Sequence, residues 1–171
     1  MAKLLALTVK APWSHFIAHC GKTVENRSWR MDYRGDLAIH AGAYSGWDKN
    51  AETSPVALEA WKRWVPKWTT PGLPAAPLTR ADAYSHFTFG AVIAVAEVTG
   101  CHHSDDCTHP RHLIHPGGST GCSPWAVRGQ WHIELAEVRP LADPVSCRGK
   151  LGLWRLPEDV EKAVRAQLGP A

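Results

Sequence analysis

Residues 91–98 read Ala-Val-Ile-Ala-Val-Ala-Glu-Val and lie between Gly90 and Gly100. A nearly unbroken apolar run of this length, with glycines at both ends, predicts a strand buried on both faces. The rest of the chain must therefore supply neighbouring strands and covering helices. At 171 residues it has room for one domain with a real core. Its 13 Pro and 14 Gly indicate many turns rather than disorder. No apolar run approaches the roughly 18–20 residues of a membrane span. Residues 1–10 carry only a short apolar stretch with no small-residue cleavage site, so no secretory signal is expected and the cytoplasm is the expected compartment. Five cysteines (Cys20, Cys101, Cys107, Cys122 and Cys147) then suit thiols, with or without a metal, better than a disulfide framework.

Other segments fall in around this strand. Leu4 to Val9 reads as a short apolar strand, and Pro12 marks a helix start. Trp13, Phe16, Ile17 and Cys20 recur at helical spacing on one face until Gly21. Thr23 to Trp29 looks extended. Tyr33 to Asp36 is a turn into a strand over Leu37 to Ala41, and Gly42 to Asn50 reads as loop. Ser54-Pro55 opens a helix with Leu58, Trp61, Val65 and Trp68 on one side. Residues 69–78 hold three prolines and connect. Trp131 to Val138 alternates as a strand closed by Pro140, Leu151 to Leu156 is a last strand, and residues 157–168 form a helix with Val160, Val164 and Leu168 inward. The sum is one α+β domain: five or six strands in a strongly curved sheet or small barrel, with short flanking helices.

The densest polar segment is Gly21-Lys22-Thr23-Val24-Glu25-Asn26-Arg27-Ser28-Trp29-Arg30. In an extended chain, Thr23, Glu25 and Arg27 share one face while Val24 and Asn26 share the other. A carboxylate beside a guanidinium, with Lys22 within reach, can hold a polar ring by charge-assisted bonds. A weak surface ion-pair strip has the same spacing. Nine Trp against three Tyr and three Phe is an unusual balance. An indole packs well in a core and stacks well on a base. Most of the nine are expected in the core, Trp61, Trp64, Trp68 and Trp154 among them.

The polar segment resembles the Gly-x-Lys-x-x-Glu-x-Arg signature of the ASCH family (activating-signal-cointegrator homology), and further blocks follow in the family's order. They are Leu7 to Trp13, Arg34 to Ala41, Gly90 to Val98, Ser123 to Ala126 and Cys147 to Trp154. The resemblance implies a PUA-like small curved β-barrel spanning 1–171, with insertions at about 46–89 and 101–122. It also implies binding of RNA, DNA or a modified nucleotide beside the signature; the chain is expected to be a monomer that requires no cofactor. Trp13, Lys22, Glu25, Arg27, Trp29, His40 and Trp125 are the expected ligand-binding residues. Some short relatives hydrolyse N4-acetylcytidine with the signature lysine and a threonine three residues later. Here that later position is Glu25. A hydrolase of the same fold, an amidohydrolase or ribonuclease using Lys22 and Glu25 for proton transfer, is the alternative. A third reading makes the Trp-rich helix near Trp61 a docking surface for a protein partner.

A second cluster lies between 101 and 122, which holds five of the ten histidines and three of the five cysteines. Thiolate and imidazole together suit zinc. Cys101, Cys107 and Cys122 with His103, or with His102 in its place, are the expected ligands of a structural zinc. The spacing Cys-x5-Cys-x14-Cys matches no standard finger, so a plain polar loop is the competing reading.

Overall fold

A computed structural model describes residues 3–45, 87–107 and 122–169. Six strands and two helices follow in the order β1 (Leu5–Ala11), α1 (Trp13–His19), β2 (Val24–Arg27), β3 (Gly35–Ser45), β4 (Ala91–His103), β5 (Trp131–Ser146), β6 (Leu153–Arg155) and α2 (Glu158–Leu168). The strands form one sheet in the order β2-β5-β4-β3-β1-β6. β1 and β3 run parallel, joined through α1 and β2, and the other pairs are antiparallel. The architecture is a curled half-barrel of six strands with two helices, α+β as the apolar pattern requires. The expected helix over residues 54–68 and the connector at 69–78 lie outside the described residues.

β4 lies inside the sheet, and Ala91 to Ala96 are buried without interruption. Both of its faces are therefore covered. On one face Leu7, Val9, Leu37, Ile39, Ile133 and Leu135 pack with Ile17 and Ala18 of α1 and with Met31. On the other, Leu4, Ala6, Ala38, Val92 and Val95 pack with Trp154 and with Val160 and Val164 of α2. Leu168 is only partly buried against that second cluster. Two-residue alternation in β1 and β3 divides the residues between these layers.

Three boundaries differ most from the sequence reading. β3 continues through Gly42 to Ser45, where a loop was expected, because Ala11 pairs with Ser45 past a register shift. β5 does not stop at Pro140. It passes through to Ser146, and its pairing with β4 shifts register on both sides of the Ala94–Pro140 pair. A bulged strand tolerates a residue that donates no backbone hydrogen bond. Glu137, at φ +43°, marks the same irregular stretch. Finally, β4 runs on to His103, so Cys101 to His103 are strand rather than the start of a loop.

A tight contact between the layers yields one expected result. A Cβ on Gly149 would stand 2.6 Å from His40 Cε1, 2.8 Å from His40 Nδ1 and 2.9 Å from Thr8 Oγ1. His40 is completely buried and set edge-on to Trp154, with 5.6 Å between ring centres, so its ring has nowhere to retreat. Gly149→Ala is expected to cost about 1–3 kcal/mol by overpacking, read from the denaturant midpoint. A neutral effect would show that this corner is loosely packed.

Candidate functional site

The turn after α1 creates the site. Gly21 adopts φ +69°, a conformation that glycine tolerates best. The chain reverses there, and the Lys22 N–H donates to the Phe16 carbonyl at 3.0 Å. The same carbonyl also accepts the Cys20 N–H at 3.0 Å, so the second bond closes the helix end and turns Lys22 inward. Its side chain is 2 % exposed, and Nζ donates to the Val24 carbonyl and, at 2.8 Å, to Glu25 Oε2. The other oxygen of the same carboxylate, Oε1, faces the Arg27 guanidinium at 3.1 Å. Arg27 in turn donates to the Thr8 carbonyl at 2.8 Å. Lys22, Glu25 and Arg27 thus form one chain of charges. It links β2, at one edge of the sheet, to β1 near the other edge, across the open side of the curl.

Burial holds the Lys22 ammonium below the ordinary lysine range. The Glu25 carboxylate opposes that shift by charge and hydrogen bond, while Arg27 adds to it. Arg27 Nε is buried without a hydrogen-bond partner among the described residues.

On the opposite face of β2, Val24 packs with Phe16 and Trp125, and Asn26 holds the segment around Trp125. Asn26 Nδ2 donates to the Trp125 carbonyl at 2.8 Å, and its Oδ1 accepts from the Val127 N–H at 2.9 Å. The Trp125 indole N–H reaches the Gly21 carbonyl at 3.2 Å. Trp13 and Trp125 flank Phe16, with ring centres 5.8 and 5.7 Å from it. Trp29 is partly buried against the main core. Structure and sequence part over His40. Its Nε2 lies 3.0 Å from the Cys147 carbonyl and its ring stands edge-on to Trp154. It is a completely buried core histidine whose hydrogen bond and ring contact go to a later segment of the chain rather than to Lys22, Glu25 or Arg27.

The Cys/His region is also rearranged relative to the expectation. Cys101 faces the main core, where its sulfur accepts the Met31 N–H at 3.4 Å. His103, on the same face of β4 by alternation, pairs with Asp105 and lies edge-on to Trp131. Neither belongs with the other cysteines. Instead His102, Cys107, Cys122 and His132 each present one ligand atom, all within 4.8 Å of one another, and this group can hold a metal. Burial, then the neighbouring Cys107, pushes the Cys122 thiol up to about 12. His132 was not singled out from the sequence. Its signal is the register: His132 lies directly opposite His102 across β4 and β5.

Among the described residues no helix is long and apolar enough to cross a membrane. No curated protein matches the chain. Among solved structures, the chain is similar to the crystal structure of a tyrosine-to-phenylalanine mutant of ZmASCH from Zymomonas mobilis. That likeness has 11% identity and a TM-score of 0.48, covering 96% of this chain and 98% of the other. The family model of the ASCH domain matches residues 7–144, which includes the signature, the buried central strand and most of β5. The chain belongs to the ASCH family, with its PUA-like fold.

Proposed function

We propose that the chain binds nucleic acid or a modified nucleotide, with RNA the expected partner, beside Lys22, Glu25 and Arg27. The observation that carries this reading is the buried charge chain on the family's own signature. Fixed charges of both signs suit the donor and acceptor edge of a base, and they are held in place before a ligand arrives. Trp13 and Trp29, both partly buried, supply aromatic surface nearby, while Trp125 is buried against Phe16 and Val24. Arg30 is largely exposed and lies 5.9 Å from the Trp131 ring centre, so a cation and an indole sit together at the end of the same segment. Interleaved cations and aromatic rings suit single-stranded nucleic acid.

The test is a panel of modified nucleosides and short RNAs, scored for retention on the protein and for change in mass. Retention without mass change is expected, and absence of retention across the panel would overturn the reading. With a net charge of only +3, binding should depend weakly on salt. The log–log slope is about −0.7 for each phosphate contacted on a single strand, so Arg30→Ala should make it shallower by about that amount. Among the described residues Arg30 pairs with exposed Asp32 and the Trp131 face and not with Lys22, Glu25 or Arg27, so this variant leaves the buried group intact.

One observation favours a second reading, a hydrolase of the same fold acting as an N4-acetylcytidine-type amidohydrolase or a ribonuclease. Lys22 is held below its ordinary pKa and is bonded directly to a carboxylate, an arrangement suited to moving a proton. A mass change in the same panel that is lost in Lys22→Met would establish turnover.

A further inference from the structure

We infer that His102, Cys107, Cys122 and His132 form a structural zinc site. This rests on observations independent of the nucleotide reading. The sulfur and nitrogen atoms already stand as ligands would. His102 Nε2 lies 3.2 Å from Cys107 Sγ, and His132 Nδ1 lies 3.4 Å from Cys107 Sγ and 3.3 Å from Cys122 Sγ. A tetrahedron with metal bonds of about 2.0–2.3 Å sets its sulfur and nitrogen corners about 3.6 Å apart. The three pairs stand a few tenths of an ångström closer than that and the whole set lies within 4.8 Å, so small side-chain adjustments suffice to admit an ion.

The surrounding groups carry the inference further. A metal-binding imidazole needs its second nitrogen to donate a proton elsewhere, which frees the first nitrogen's lone pair for the ion. Both rings meet this condition. His102 Nδ1 lies 2.6 Å from Glu134 Oε1, and His132 Nε2 lies 2.9 Å from the Val127 carbonyl. The tautomers these acceptors enforce aim His102 Nε2 and His132 Nδ1 at the two sulfurs. Room for the Glu134 carboxylate comes from Gly100, its cross-strand partner, where a Cβ would stand 2.4 Å from Oε2.

Two thiolates and two neutral imidazoles give a site of no net charge once a divalent ion enters, which suits its partly buried position. Sulfur with nitrogen in a tetrahedron selects zinc over the harder divalent ions. Binding releases the two thiol protons. All four positions are filled by protein, which leaves none for a substrate water and makes the role structural. The ion ties the end of β4 to Cys122. From there Ser123, whose hydroxyl lies 3.3 Å from Thr23 Oγ1, leads to Trp125 beside the Lys22 turn.

The test uses the full chain, purified without a histidine tag and reduced. Metal analysis is expected to give one zinc per chain. Cobalt(II) added to stripped protein should give tetrahedral d–d absorption with a thiolate charge-transfer band. Cys122→Ser and His132→Ala should abolish that spectrum, while Cys101→Ser and His103→Ala should leave it unchanged. Glu134→Gln alters no ligand and keeps an oxygen acceptor, so it serves if ligand variants fail to fold. It should weaken cobalt and zinc binding about 10- to 100-fold. A folded wild-type chain that takes up neither metal, or a Cys107–Cys122 disulfide in the purified protein, would overturn the site.

Discussion

Glu25→Ala is expected to destabilise the protein by about 3–5 kcal/mol, the usual cost of removing one partner from a buried ion pair. At this chain length the melting temperature should fall by roughly 6–20 °C. The size follows from what the carboxylate does. It stands between Lys22, at 2.8 Å, and Arg27, at 3.1 Å, and it is itself 7 % exposed. Without it the Lys22 ammonium keeps, among the described residues, the Val24 carbonyl alone, in surroundings that already disfavour its charge. Arg27 would lose its counter-charge while still spanning to Thr8 across the curl. Glu25→Gln keeps the shape and an acceptor for Lys22, so its cost should be smaller. Lys22→Met/Glu25→Leu should recover part of the loss of Glu25→Ala, because it removes the stranded ammonium together with the carboxylate. Chemical denaturation of the three variants checks the order. A loss below about 1 kcal/mol for Glu25→Ala would mean that water reaches the group and screens it.

This group also shows how far the sequence could be read. The alternation of Glu25 and Arg27 was legible, because a strand puts every second residue on one face whatever packs against it. The burial of Lys22 was not, because it depends on the curl that carries β2 round toward β1, a contact between residues 19 positions apart on different strands. β4 was legible from Gly90 to Val98 because a run buried on both faces needs no period. Its continuation to His103 was hidden, since those polar residues turn to one another and to β5 rather than to a core. Pro140 reads as a stop, and only the bulged register of β5 lets the strand pass it.

The same reasoning explains the histidines. His132 sits in a strand whose own pattern is ordinary, and it becomes noticeable only when the register places it opposite His102. His40 lies within the family-like strand block Arg34 to Ala41 and is an expected ligand-binding residue from the sequence. Its neighbours are Trp154 and the backbone at Gly149, contributed by a segment more than a hundred residues later in the chain. Residue type announces chemistry, but the long-range partner decides whether that chemistry faces a ligand, an ion or the core.

Acid should weaken the fold well above the pH at which carboxylates titrate, and His15 is the reason. It lies on α1, 3 % exposed, with its ring 4.7 Å from Phe87 and its Nε2 accepting the Thr88 N–H at 2.9 Å. Ser14 Oγ lies 3.3 Å from Nδ1, and His19 stands one turn further along the helix. Burial, with a smaller contribution from His19, lowers the His15 pKa from 6.5 to about 3. Between those two values the unfolded chain binds a proton that the folded chain refuses. Stability is therefore full above pH 6.5 and falls as pH drops toward 3. The loss from this residue alone should reach about 2 kcal/mol by pH 5 and about 3 kcal/mol by pH 4. His40, whose pKa burial also lowers, acts in the same direction. Urea unfolding at pH 7, 5 and 4 measures the slope. His15→Gln keeps a side-chain acceptor for Thr88 and cannot titrate, so it should flatten the dependence by up to one proton. If the variant loses stability with acid as steeply as the parent, the proton is being taken up elsewhere and His15 is not its site.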